Sequence, residues 1–509
     1  MTKPIVGNAL VWLTISLSFG IFMNVLDSSI ANVSIPYIAG DIGVSPNQGT
    51  WVITSFTVST AIMLPLTGAL AKRIGEVRLF VWATFLFTVF SFLCGLSRDL
   101  TMLVVFRVLQ GAAAAPMIPL SQSLLLNNYP DEKKGLANAL WAMTAVVAPL
   151  CGPILGGWIT YNYSWPWIFY INIPVGIFSC LVTMRLLKGR ETAIVKIPFD
   201  TMGIFLLAVG IGCLQVLLDN GQDYDWFNSR FITTLGVIAF VALLFFFLWE
   251  LTEKYPIVDL SLFKIRNFTV GTLALSFGYM VFFSNIVIFP LWLQTQMNYT
   301  STWAGLAAAP IGIIPVILTS FVGRYINKLN LRLIVSFGFS MFALASLWSA
   351  FFDTDVAFVN LIVPRLIMGL GITCFFSPLL SIITSGVPPE KFASALGITN
   401  FLRILGGSFG VSLSVALWER RESFHQSRLV EQINNYNDMS IESLRRLHEL
   451  GFPTTESFQL LYNTVINQAY MLATNDFFWL AGWIFVALLF VIWLAKPPFF
   501  AGSHHAGVE

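Results

Sequence analysis

Charge is what this chain is short of. Only 11% of its 509 residues are charged, 28 Lys+Arg against 26 Asp+Glu, where a soluble globular domain carries roughly 25%. That leaves too little polar surface to face water. The net charge of +2, with no acidic or basic tail, gives no indication of nucleic acid as a partner. Histidine is scarce too. His425, His448, His504 and His505 all lie outside the apolar runs, which argues against a histidine proton relay. The five cysteines, Cys94, Cys151, Cys180, Cys213 and Cys374, fall inside apolar runs without metal-ligand spacing, so neither redox nor metal chemistry is indicated. There is no Walker A loop, no HExxH and no cysteine–histidine cluster, which argues against an ATP-driven pump and a membrane enzyme.

What the chain has is apolar sequence: 56% of residues are hydrophobic and mean hydropathy is +0.77. They come in runs of about 20, the length that crosses a bilayer core as a helix. The first run, near Leu10, lacks a small-residue cleavage site and reads as a retained span rather than a signal peptide. Fourteen spans are expected, near 10–32, 50–71, 79–97, 102–125, 136–160, 166–187, 201–219, 231–252, 269–292, 304–325, 331–351, 358–380, 393–417 and 475–495. In hydrocarbon each backbone amide must bond within its own segment, so all are expected to be helices.

Lysine and arginine orient them. With the N-terminus in the cytoplasm, eighteen fall in inner loops and tails and two, Arg98 and Arg230, in short outer loops. That bias is the positive-inside pattern and places both termini inside. Residues 418–474 are then a long polar outer loop with helical patterns, either a solvated connector or a docking surface for a periplasmic partner.

An internal repeat organises the spans. YPDEKKGLANAL, ending at Leu140, matches VPPEKFASAL, ending at Leu396, and Arg107–Gly111 (RVLQG) matches Arg365–Gly369 (RLIMG). The architecture is therefore expected to be all-α and integral to the membrane, with helices arranged as 6 + 2 + 6. Its expected units are a first half over 1–190, two linking helices over 191–268, a second half over 269–496 that includes 418–474, and a cytoplasmic tail over 497–509. Repeated halves that rock about a midplane site are common in transporters.

Four stretches carry a family pattern. GALAKRIGEVR (Gly68–Arg78) resembles the cytoplasmic loop motif of the major facilitator superfamily, and LVVFRVLQGAAAA, from Leu103, its fourth-span motif. APLCGPILGG (Ala148–Gly157) resembles the fifth-span motif of its antiporters, and LDSSIANVSIP (Leu26–Pro36) the first-span signature of its fourteen-helix drug:proton antiporters. The resemblance runs nearly end to end. It implies a proton-coupled multidrug exporter of a bacterial inner membrane, using no cofactor but the coupling proton. It also implies an EmrA-like periplasmic adaptor and a TolC-like outer-membrane channel as partners. A dedicated exporter or passive facilitator of a single metabolite shares the architecture. Where the loop motif usually has an acid this chain has Lys72, so a latch built on that acid does not carry over.

Each motif also has a physical reading. Gly68 and Gly75 permit a tight turn that Lys72, Arg73 and Arg78 pin to the inner face. Gly152, Gly156 and Gly157, with Pro153 among them, let the fifth span bend and approach a neighbour. Gly111 and Arg365 belong to the repeated arginine motif.

Ionisable residues inside spans are functional candidates by default, and four qualify: Asp27, Arg107, Arg365 and Arg403. The repeat pairs the first two arginines, whereas Asp27 projects to about Phe283–Asn285 and Arg403 to about Val147, without like charge. Asp27 is the expected protonation site, with Arg107 as the charge that tunes it; the other reading is a permanent ion pair. Asn24, Gln110, Gln122, Trp141, Phe282, Phe283, Asn285, Asn400 and Arg403 are candidates for the substrate cavity. Three arginines face one aspartate, which favours weakly acidic amphiphiles over permanent cations, with Arg403 as anchor.

Overall fold

The structure, a computed structural model, describes residues 5, 7–130, 134–192, 194, 200–253, 256–318, 330–388, 391–434, 437–497 and 499. Most of the expected tail, 497–509, and the end of the expected span 304–325 lie outside these residues. Helices and their connections make up all that is described; no strand occurs among the described residues.

The first half comprises α1 (Asn8–Ile42), α2 (Trp51–Met63), α3 (Thr67–Ile74), α4 (Glu76–Gly95), α5 (Leu100–Ala114), α6 (Met117–Asn128), α7 (Lys134–Asn162) and α8 (Asn172–Leu186). The linking pair is α9 (Thr201–Asn220) and α10 (Arg230–Thr252). The second half comprises α11 (Arg266–Thr295), α12 (Ser301–Ala308), α13 (Leu331–Ser349), α14 (Phe358–Thr384), α15 (Phe392–Glu431), α16 (Asp438–Glu449) and α17 (Thr454–Ile492). Twelve helices among the described residues are long and apolar enough to cross a membrane, thirteen if one bent pair is a single span. The sequence leads one to expect fourteen. The fifth expected span, 136–160, is not in that set, although it is helical throughout as α7. The bent pair is α2 with α3, angled by 59° around Pro65, whose ring and missing N–H interrupt the helical ladder.

Packing follows the repeat. α1 lies along α7 in the first half as α11 lies along α15 in the second, and the α4–α5 contact recurs as α13–α14. α9 packs on both α2 and α15, and α10 packs chiefly on α9. A cluster of Val58, Ala61, Leu207, Ile211 and Phe401 seals the place where α9 touches both halves.

α15 and α17 differ from expectation. The sequence puts a polar outer loop with helical patterns at 418–474, long enough for a small helical hairpin; the hairpin is there, but its arms are the spans themselves, since α15 runs unbroken to Glu431 and α17 starts at Thr454. Their 40 and 39 residues are about twice the length that a bilayer core needs. The polar segment is thus mostly continuous with the spans, and α16, supported along its own face by Glu442 paired with Arg445 and Arg446, caps a long hairpin. The helical patterns extend the spans rather than standing apart from them because a helix already nucleated in the membrane propagates into water at little cost.

Candidate functional site

The buried end of α5 carries the first constellation. Arg107 donates through one terminal nitrogen to Asp27 Oδ2 on α1, through Nε to the Val52 carbonyl at 2.8 Å, and to Gln110 Oε1 at 2.9 Å. The second carboxylate oxygen, Asp27 Oδ1, accepts from Gln110 Nε2 at 3.2 Å and from Asn172 Nδ2 at 3.1 Å. Asn172 also donates to Ser91 Oγ at 3.0 Å. Five elements therefore converge on one carboxylate, and Asp27, Arg107, Gln110 and Asn172 are all buried. The guanidinium lies over the Phe56 ring at 4.2 Å, so its remaining face is against a quadrupole rather than water.

Such an arrangement is a carboxylate with three donor contacts from three side chains in a low-dielectric core. Ionised, it balances the arginine; protonated, it leaves Arg107 uncompensated and the donors misaligned. Gln110, grouped with the cavity from the sequence, is part of this network instead. Asn172 and Ser91 escaped the sequence reading, although an asparagine in an apolar run is a signal of the same kind as Asp27.

The second constellation lies on α11, α14 and α15. Arg403 is half-buried, with its guanidinium 4.7 Å from the Tyr279 ring and 5.9 Å from Phe376. Tyr279 stacks on Phe283 at 5.5 Å and touches Phe282 and Phe376. Asn400 Oδ1 accepts from Arg403 Nε at 3.3 Å. The structure thus brings Phe282, Phe283, Asn400 and Arg403 together and adds Tyr279 and Phe376. Arg403 forms no ion pair with an acid among the described residues, so a cation stands in an aromatic surround with its charge uncompensated.

The other cavity candidates are dispersed. Asn24 is buried and donates to the Ala114 carbonyl at 2.6 Å, a helix-to-helix bond between α1 and α5. Asn285 is buried against Arg365, and its Oδ1 accepts from that guanidinium at 2.6 Å. Trp141 Nε1 donates to Ser121 Oγ at 3.1 Å, next to the half-buried Gln122.

The conformational motifs sit where the halves or their helices meet. Gly75 has a φ of 99°, and a Cβ there would strike the Glu191 carboxylate. Glu191 accepts from the Val77 and Arg78 amides at 2.9 and 3.0 Å, capping the start of α4, and Arg78 lies beside it at 3.9 Å. This acid, unnoticed in the sequence, is what the glycine-basic loop closes on; Gly68 is open to space, and Lys72 and Arg73 are exposed at the end of α3. Gly152 and Gly156 face Ser29 and Ile30 of α1, whereas Gly157 abuts the Ser301 carbonyl of α12. Gly305 of α12 in turn abuts the Pro153 carbonyl, and Gly111 the Phe56 carbonyl. Ser301 Oγ donates to the Gly157 carbonyl at 2.9 Å, and Gln294 Nε2 to the Val33 carbonyl at 2.9 Å. These joints between the halves lie toward the end of the bundle from which the α15–α17 hairpin projects, the hairpin end.

Residues 17–411 match the Major Facilitator Superfamily. The chain belongs to that family. It is 50% identical over 508 residues to the multidrug export protein EmrB of Escherichia coli K12, covering 100% of this chain and 99% of that protein. It is also 50% identical over 500 residues to the fatty acid resistance protein FarB of Neisseria gonorrhoeae, covering 98% and 99%. Among solved structures it is similar to a POT peptide transporter in complex with sulfate, with a TM-score of 0.65 at 15% identity, covering 97% of this chain and 98% of that one. A D-xylose–proton symporter gives 0.63 at 14%, covering 97% and 99%. At such identities the structures speak for the fold alone. The protein is a multi-pass membrane transporter of the EmrB family within this superfamily.

Proposed function

We propose that this transporter is a proton-coupled exporter of hydrophobic and amphiphilic toxic compounds, working by alternating access. The observation that carries the reading is the buried Asp27–Arg107–Gln110–Asn172 network: one ionisable carboxyl at the junction of five elements, in a half that must move as a unit. The cycle then runs as follows. Asp27 takes a proton from the outside, the halves rock, the proton leaves to the inside, and substrate binding favours return. The hairpin end is the outer, periplasmic side in this reading, both termini are cytoplasmic, and the membrane is a bacterial inner membrane.

Substrate binds at the Arg403 site. A guanidinium among Tyr279, Phe282, Phe283 and Phe376 suits an acidic head on an apolar body. The FarB relative is named for fatty acid resistance, and a fatty acid has that chemistry. Export beyond the outer membrane would use an EmrA-like adaptor and a TolC-like channel, with the α15–α17 hairpin as the docking element; deleting Asp438–Glu449 should then impair adaptor co-purification more than expression.

The deciding experiment is proton release on adding a candidate drug to the purified protein, for wild type and Asp27→Asn. Release that is present in wild type and lost in the variant supports the reading. Equal release from both sinks the assignment of Asp27. Substrate counterflow that is indifferent to a pH gradient would instead mark a passive facilitator.

A further inference from the structure

The linking helix α9 meets both halves at one carboxylate. Asp219, in its last turn, accepts from Thr54 Oγ1 of α2 at 2.9 Å, from Ser412 Oγ of α15, and from Gln215 Nε2 one turn earlier at 2.8 Å. Gln215 also donates to Ser412 Oγ at 2.6 Å and accepts from Ser408 Oγ at 3.2 Å, and Ser408 Oγ reaches the Thr54 carbonyl at 3.2 Å. Farther along the seam Asn47 donates to Glu419 at 3.0 Å, and Gln48 to Asp223 at 3.3 Å. In all three places a neutral donor from residues 47–54 of the first half meets a carboxylate from α9, the loop after it, or α15. Parting α2 from α15 breaks the Asn47–Glu419 bond and, whichever side α9 stays on, at least one of the Asp219 bonds to Thr54 and Ser412.

The chemistry of the seam is one-sided. Ionised, the carboxylate accepts from all three donors through charge-assisted bonds; protonated, it places its own hydrogen on one partner and the remaining bonds are of the weaker, neutral kind. The elements packed on Asp219 offer it no cation. α2 has no charged residue; α15 carries Arg403, Glu419, Arg420, Arg421, Glu422, His425, Arg428 and Glu431; α10 carries Arg230 and Glu250; and the loop after α9 carries Asp223 and Asp225. None of these forms an ion pair with Asp219 among the described residues, and Arg421 is taken by Asp476 at 2.6 Å.

We propose that Asp219 is a positioning residue of the transport cycle: ionised, it holds the hairpin end shut through Thr54 and Ser412, and a proton arriving from that side releases it. The two linking helices thereby acquire a role, which is to make closure of the outer side sensitive to outer pH. The idea rests on the alternating-access reading but is separate from Asp27. Asp27 lies within one half and touches nothing across the seam, whereas Asp219 touches both sides of it.

The test reads conformation rather than transport. Spin labels go on Tyr163→Cys and Phe351→Cys, two exposed sites at the hairpin end of opposite halves, in a background whose native cysteines are serine. In wild type the distance distribution should lengthen between about pH 8 and about pH 5 as the carboxylate takes up a proton. Asp219→Asn should give the long distribution at both pH values, and Asp219→Glu should keep the response. The closed-to-open ratio should fall by about tenfold for each charge-assisted bond lost. An Asp219→Asn distribution equal to wild type at each pH overturns the proposal. Thr54→Val and Ser412→Ala keep the acid and remove its donors; each should lengthen the distribution at about pH 8, and no change in either also overturns it. Asp27→Asn, measured alongside, should keep the pH response, so that failure of the proton site and failure of the clasp give different results.

Discussion

Arg365 donates to Asn285 at 2.6 Å, and the two stand in the second half as Arg107 and Asp27 stand in the first. One offset of 258 residues carries Asp27 onto Asn285, Arg107 onto Arg365 and Gln110 onto Met368. The geometry follows the offset: Arg107 bonds to Gln110, and the same nitrogen of Arg365 lies 3.9 Å from Met368 Sδ. Phe289 takes the cation face at 3.8 Å as Phe56 does for Arg107. The second copy of the clamp therefore has the arginine but an amide where the first has an acid. Only the first half has a titratable group in this frame.

Asp27→Asn should consequently fold. The second half shows that an arginine is held in this position by an amide, so the cost should stay below the about 3–5 kcal/mol of a buried pair broken by deletion. Expression, elution as a single species and the thermal midpoint should be near wild type, while drug-induced proton release disappears. A variant that is lost from the membrane would mean that the pair is mainly structural.

Asn285→Asp tests the converse. Arg365 Nε, its second terminal nitrogen and Asn285 Nδ2 are buried without a hydrogen-bond partner. An aspartate removes one of these orphan donors and supplies an acceptor of opposite charge. The thermal midpoint should rise, by the equivalent of about 1–3 kcal/mol for satisfying buried donors. A fall would show that the aromatic face of Phe289 already compensates the arginine.

Much of this was legible in the sequence because the membrane constrains it. Apolar runs mark the helices, and the arginine motif at 107 and 365 marks the duplication. The repeat even named the right neighbourhood for the missing acid, Phe283–Asn285. What did not show was anything that depends on which face a residue takes. Gln110 and Asn24 look like cavity polar groups in one dimension, yet they bond to Asp27 and to the Ala114 carbonyl. Asp219 stands at the end of the expected span 201–219, and the sequence does not tie it to its donors, which lie as far as 193 positions away. Tyr279 and Phe376 are two aromatics among many until Arg403 is laid over them.

Arg403→Ala should separate substrates by charge. A weakly acidic amphiphile loses its counter-ion, which in a half-buried site is worth about 1.5–3 kcal/mol, or roughly ten- to a hundredfold in apparent affinity. A quaternary ammonium compound of matched size should be exported as well as before or better. Efflux from cells or vesicles, compared for the two compounds, checks this; an equal loss for both would remove Arg403 from the substrate site.

The stability of the transporter in acid should report the Asp259–Lys391 pair. Asp259 precedes α11 and Lys391 precedes α15, and Nζ lies 2.7 Å from the carboxylate. Burial acts to raise the Asp259 carboxyl, but the hydrogen bonds from Lys391 and Ser261, with the lysine charge, outweigh it and hold the group below its usual range. A group depressed in the folded state stabilises fully above its unfolded value of about 3.9 and loses that contribution as pH falls through the folded value. Lys391→Met should therefore lower the thermal midpoint slightly near neutrality, by less than about 1 kcal/mol for so exposed a pair. The difference from wild type should vanish in strong acid. A gap that persists there would have to come from lost packing of the lysine stem.

Gly157→Val tests how the hairpin end closes. The Cβ of any residue at 157 would meet the Ser301 carbonyl, the acceptor side of a backbone turn that cannot rotate away as a side chain can. α12 must then move off α7, which also strains the reciprocal contact of Gly305 with the Pro153 carbonyl. Overpacking of this kind costs about 1–3 kcal/mol, and here the cost falls only on the closed arrangement. The population open at the hairpin end should rise by roughly ten- to a hundredfold, visible as a longer Tyr163–Phe351 label distance at neutral pH. Because Gly157 carries no charge, the shift should be the same at every pH, whereas that of Asp219→Asn should shrink as the medium is acidified. A pH-dependent effect of Gly157→Val would mean that the α7–α12 joint and the Asp219 seam open as one unit.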